Sequence, residues 1–146
     1  MTRFGRVLVV VAVVAAGACG SDDPDLVAFT VAGDNPVDGT LWCPPGDIVA
    51  DLTSTTAVPP NISVPALPED EAEQKAEAFI DLLFADRPAA SADRRLDHDG
   101  GPNATMALFW PGRAEPRAGG WLTFALVEGD WAVTGYTVCN RFAFGD

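Results

Sequence analysis

His98 is the single histidine of this 146-residue chain, and carboxylates flank it on both sides in Asp97-His98-Asp99. Imidazole and carboxylate are both zinc ligands, and Asp93 lies close by in the chain. Zinc, however, takes three or four protein ligands, and no second histidine is present. A calcium loop of the EF-hand type also fails on spacing. With Gly100 at the loop's glycine, Asp97 and Asp99 fall correctly, but Arg95 stands at the first ligand and Met106 at the final glutamate. A Ser-His-Asp triad would have to recruit His98, and no Gly-x-Ser-x-Gly elbow accompanies it. The chain has 21 acidic residues, so carboxylate pairs for glycoside chemistry are numerous, and none is singled out by spacing. No glycine-rich phosphate cradle is present. The reading that remains for residues 97–101 is a solvated loop with aspartate caps and a flexible Gly100-Gly101. Trp42, Trp110, Trp121, Trp131 and Tyr136 line either a ligand cleft or a core. Aromatics at strand positions serve more often as core, given their large buried area.

The formal charge is −12, and Lys75 is the single lysine. So acidic a chain repels phosphate backbones, which excludes nucleic acid as a partner. Anionic headgroups repel it too, so a basic patch is not expected to hold it at a membrane.

Residues 1–19 read MTRFGRVLVVVAVVAAGAC. Arg3 and Arg6 form a short basic region, residues 7–16 an unbroken apolar one, and Ala15, Ala16, Gly17 and Ala18 a run of small residues. This is the layout of a secretory signal. The apolar run to Ala18 is 12 residues, short of the roughly 20 that span a bilayer as a helix. Ala16-Gly17-Ala18-Cys19 resembles the lipobox of bacterial lipoproteins, with Ala16 where that family prefers leucine. The resemblance implies cleavage before Cys19 and a diacylglyceryl group on its thiol. Membrane attachment is then through lipid, on the extracytoplasmic face of the cell membrane. An ordinary signal peptide cut near Ala18 is the alternative. Residues 19–25 become the lipidated cysteine and a polar tether, and residues 26–146 a single domain.

Three cysteines are present: Cys19, Cys43 and Cys139. An odd count outside the cytoplasm calls for an explanation, and lipid on Cys19 supplies it. Cys43 and Cys139 are then free to oxidise together. With no Cys-x-x-Cys, the pair is expected to be structural rather than redox-active.

The domain reads as α+β. Residues 68–86 form its main helix. Pro68 suits the first turn, and Glu69, Asp70 and Glu71 complement the helix dipole. Ala72, Ala76, Phe79, Ile80, Leu83 and Phe84 recur on one face, and Arg87-Pro88 ends the helix. Residues 121–127 and 131–139 alternate as strands about Glu128-Gly129-Asp130, a tight hairpin. Further strands are expected at 26–32, 39–43 and 104–110, with 48–52 ambiguous. Residues 53–67, rich in Thr, Ser and Pro, read as a surface crossing. Residues 88–103 read as a polar connection with a helical turn near 92–96. One amphipathic helix thus packs on a curved antiparallel sheet. A helix followed by strands ending in Trp131-Ala132-Val133-Thr134-Gly135-Tyr136 resembles the cone-like domains of the nuclear transport factor 2-like superfamily, over residues 68–139. That resemblance implies a pocket between helix and sheet and fixes no activity.

The expectation is a lipid-anchored extracytoplasmic protein, a non-enzymatic module of the cell envelope that binds a small molecule or an envelope protein. No catalytic, metal or cofactor-binding residue is assigned. The alternative is an envelope hydrolase using scattered carboxylates or His98.

Overall fold

A computed structural model describes residues 26–31, 39–53, 64–98 and 100–145. Residues 1–25, which hold Cys19 and the tether, lie outside the described residues, as does Asp99. The fold is α+β. Its strands are β1 (Val27–Thr30), β2 (Thr40–Cys43), β3 (Val49–Thr53), β4 (Asp93–Asp97), β5 (Asn103–Phe109), β6 (Ala118–Val127) and β7 (Asp130–Cys139). Its helices are α1 (Glu69–Leu83) and the short α2 (Asn140–Ala143), with a 3-10 turn over Pro88–Ser91.

β3 to β7 form one antiparallel sheet in the order β3-β7-β6-β5-β4, and β1 and β2 pair as a separate two-stranded sheet. Register irregularities between Leu108 and Phe109, and between Thr123 and Phe124, interrupt the ladders. Such bulges add local twist and bend a sheet, which accounts for its curvature. The β6–β7 hairpin closes as expected. Val127 pairs with Asp130, and Glu128 (φ 51°) and Gly129 (φ 87°) are both left-handed. A two-residue turn of that kind matches the twist of the strands it joins.

Strand register assigns the two faces of the sheet. Leu122, Met106 and Tyr136 lie on one face, since Leu122 opposes both Met106 and Tyr136. α1 covers that face. Ala72, Ala76, Ile80 and Phe84 are buried there, and the rings of Phe79 and Phe84 lie 6.3 and 5.5 Å from Tyr136. Cys139 lies on the opposite face, and the β1–β2 hairpin is joined to it there through Cys43. The core therefore has two layers with the large sheet between them.

Several boundaries differ from the sequence expectation. α1 begins one residue after Pro68, which stays extended (ψ 142°) and caps the helix; its carbonyl accepts from Ala72 N–H. The helix stops at Leu83. Phe84 turns out of it to meet Phe144, and Asp86 (φ 62°) adopts a left-handed turn. Leu83, expected on the buried stripe, is 42% exposed because the helix ends there. Residues 93–97 are strand, and the helical turn expected near 92–96 lies earlier, at Pro88–Ser91. β4 is an edge strand carrying Arg94, Arg95 and two aspartates, so its alternation is one of long charged chains rather than apolar ones. β6 starts at Ala118, three residues before the first apolar alternation, because Gly119 and Gly120 are strand residues. A Cβ on Gly119 would stand 2.5 Å from the Phe142 ring. One on Gly120 would meet Val138 Cγ1 and come 2.8 Å from the Thr137 carbonyl. These glycines allow close packing rather than flexibility.

Candidate functional site

The Cys43–Cys139 disulfide joins β2 to the end of β7, with Cα atoms 5.5 Å apart. Both residues are fully buried. Trp42 surrounds the joint with polar contacts: its carbonyl accepts from Trp110 Nε1–H at 2.6 Å and lies 3.3 Å from Cys139 Sγ. The disulfide sulfur has no proton, so the latter is a contact rather than a donated bond. Asp47 stands beside the joint. Its Oδ2 accepts from the Arg141 N–H at 3.1 Å, capping the first turn of α2 from outside the helix.

Cys43, Asp47 and Cys139 offer ligand atoms within 4.8 Å of one another, a spacing that would suit a metal. The disulfide consumes both sulfurs, and Asp47 is bonded to a backbone amide. The cluster is therefore a structural joint in the oxidised protein. Parity of cysteines made the disulfide legible in the sequence; nothing there pointed to Asp47 as the cap.

His98 follows β4 directly. Its ring stacks edge-on against Trp131, with centroids 5.0 Å apart, and Nε2–H donates to the Gly101 carbonyl at 2.8 Å. Trp131 in turn donates from Nε1 to the Pro65 carbonyl at 3.2 Å. The histidine thus closes the β4–β5 connection and links it to the chain entering α1. Asp97 is exposed at the end of β4.

The aromatics divide between core and surface joint. Trp121 and Trp131 are buried. Tyr136 packs against Phe79, Phe84 and Phe144 between α1 and the sheet. Trp42 is half-buried, and the Arg117 guanidinium lies 3.8 Å over its ring. Two further contacts escaped the sequence reading. Arg94 Nη1 donates to Glu73 Oε2 at 3.0 Å, tying β4 to α1. Thr137 Oγ1 donates to Asp51 Oδ1 at 2.7 Å across the β3–β7 pair. Cross-element polar contacts between residues far apart in sequence leave no periodic signal.

Among the described residues, no helix is long and apolar enough to cross a membrane. Comparison of the chain with family models, with characterised proteins and with solved structures yields no match.

Proposed function

We propose that the chain is exported, cut before Cys19, and held by lipid on that cysteine at the extracytoplasmic face of the cell membrane. There its domain acts as a non-enzymatic module that binds a small molecule or an envelope protein. The observation that carries this reading is the cysteine distribution. Cys43 and Cys139 are joined to each other, so the remaining thiol is Cys19, at the end of a basic, apolar and small-residue leader. A buried disulfide also suits an oxidising compartment. Two acyl chains, at about 0.8 kcal/mol for each buried methylene, suffice for a stable anchor. The hydrolase alternative gains no support from His98, whose ring is engaged by Gly101 and Trp131.

Replacing Cys19 with Ala tests the anchor. The native chain is expected in the detergent phase of fractionated host membranes, and Cys19→Ala as an uncut precursor retaining residues 1–18. A variant processed and released like an ordinary secreted protein would overturn lipidation.

A further inference from the structure

A strand at the edge of a sheet presents unpaired backbone groups, and charged side chains are the usual means of blunting it. The edges of this protein are guarded unequally. β4 carries four charged residues in five, and β3 carries Asp51. β2 lies against β6 and β7, and its Trp42 carbonyl is held by Trp110. β1 differs from all three. It pairs with β2 alone, and residues 26–31 contain neither a charge nor a proline.

One bond fixes the direction of the β1 backbone. Val31 N–H donates to the Gly39 carbonyl at 2.6 Å, in line with the Phe29–Leu41 and Val27–Cys43 pairs. Direction alternates along a strand, so Val27, Phe29 and Val31 turn their N–H and C=O groups towards β2. Ala28 and Thr30 turn theirs outward. Both are exposed, and neither meets an outward hydrogen-bond partner among the described residues. Val27, Phe29 and Val31 are half-buried, with Phe29 and Val31 packed on the core.

We propose that β1 pairs with β1 of a second copy of this chain, antiparallel about a two-fold axis at Phe29, so that the two small sheets join into one. This rests on the lipid anchor proposed above, and it names the envelope protein that the domain binds. In that register Ala28 faces Thr30 of the second copy, and each such pair exchanges N–H and C=O in both directions, which satisfies the outward groups. Phe29 meets its own counterpart, and Val27 meets Val31. Aromatic and β-branched pairs of this kind are favourable across antiparallel strands. The strand is thus its own apolar complement. In a chain of formal charge −12 it is also an edge at which two copies meet without opposing like charges. The same patch serves both copies, so the contact closes at a dimer. One short strand per copy covers less than the roughly 800 Å² a side that free-standing complexes bury, so the pairing is weak in bulk solution. From Cys19 to Val27 the chain reaches at most about 28 Å, which keeps β1 near the bilayer. Anchored copies therefore present their β1 strands near one plane, and this confinement raises their effective concentration as a linker does.

The test uses acylated protein recovered from host membranes, weighed intact and placed on phosphatidylcholine vesicles. Ala28→Cys and Thr30→Cys are prepared separately. In the proposed register these positions of two copies stand about 5.5 Å apart between Cα atoms, within disulfide reach. Two copies of the same variant are offset by two residues, about 7 Å along the strand, and stand out of reach. With both variants on the same vesicles, mild oxidation is expected to give several-fold more linked dimer than with either variant alone. On the native protein, amides in residues 26–31 are expected to exchange more slowly at high surface density than at low. Thr30→Pro removes one outward N–H and leaves those facing β2, so it is expected to abolish that slowing. The native protein carries the test if a variant does not fold. No linked dimer in the mixture, equal linkage in each variant alone, or exchange in residues 26–31 indifferent to density would overturn the pairing while leaving the anchor intact. Slowing that persists in Thr30→Pro would place the contact elsewhere and would also overturn it. A mass without acyl chains would overturn the anchor and the pairing together.

Discussion

Removing the disulfide is the perturbation whose size the structure fixes best. Cys43 and Cys139 are separated by 96 positions, so their bond closes a loop of most of the domain in the unfolded chain. On the chain-entropy estimate, a loop of that length contributes about 4–5 kcal/mol. The β1–β2 hairpin makes the cost concrete, because a two-stranded sheet is marginal alone, and the bond ties this one to β7. Domains of this size are stable by about 5–15 kcal/mol in total, so the loss is a large share of the whole. At roughly 3–5 °C per kcal/mol, Tm is expected to fall by about 15–20 °C. The assay is thermal unfolding followed by circular dichroism, comparing the oxidised protein with Cys43→Ala, Cys139→Ala and the double variant. The single variants should lose as much as the double one, because either breaks the bond. Both sulfurs are fully buried, so a reductant is expected to act on the native protein only as fast as it unfolds. A fall of under about 5 °C in the double variant would refute the reasoning, since the unfolded chain would then be compact without the bond.

Four further outcomes follow from the packing. Gly120→Ala places a methyl against Val138 Cγ1 and the Thr137 carbonyl and should cost about 1–3 kcal/mol by urea unfolding, partly recovered by Val138→Ala. Ile80→Ala, at a fully buried position, should cost about 2–5 kcal/mol, whereas Leu82→Ala, 80% exposed two residues later, should stay within about 0.5 kcal/mol. Glu128→Asn should stabilise the hairpin by about 0.5–1 kcal/mol, read from the urea midpoint, since φ at this position is 51°. His98→Ala should cost about 1 kcal/mol through the lost Trp131 contact and Gly101 bond; loss of a measured activity with no change in stability would instead favour the hydrolase reading.

What the sequence made legible follows from periodicity and parity. α1 and the β6–β7 hairpin repeat apolar residues at their own periods, and the disulfide follows from an odd cysteine count with one cysteine assigned elsewhere. β4 escaped because Asp93-Arg94-Arg95-Leu96-Asp97 has one apolar residue: its half-buried Arg94 is paired with Glu73 from α1, a partner that only the fold supplies. The start of β6 escaped because Gly119 and Gly120 read as loop, although Phe142 and Val138 occupy the space their side chains would take. The end of α1 was misplaced because Phe84 keeps the helical apolar spacing while its ring packs against Phe144 and Tyr136 outside the helix.

The most direct test of the central claim is the intact mass of the chain extracted from host membranes without reducing agent. The expected mass is that of residues 19–146 plus acyl chains, less two hydrogens for the Cys43–Cys139 bond. A mass without lipid, or one that still includes residues 1–18, would contradict it.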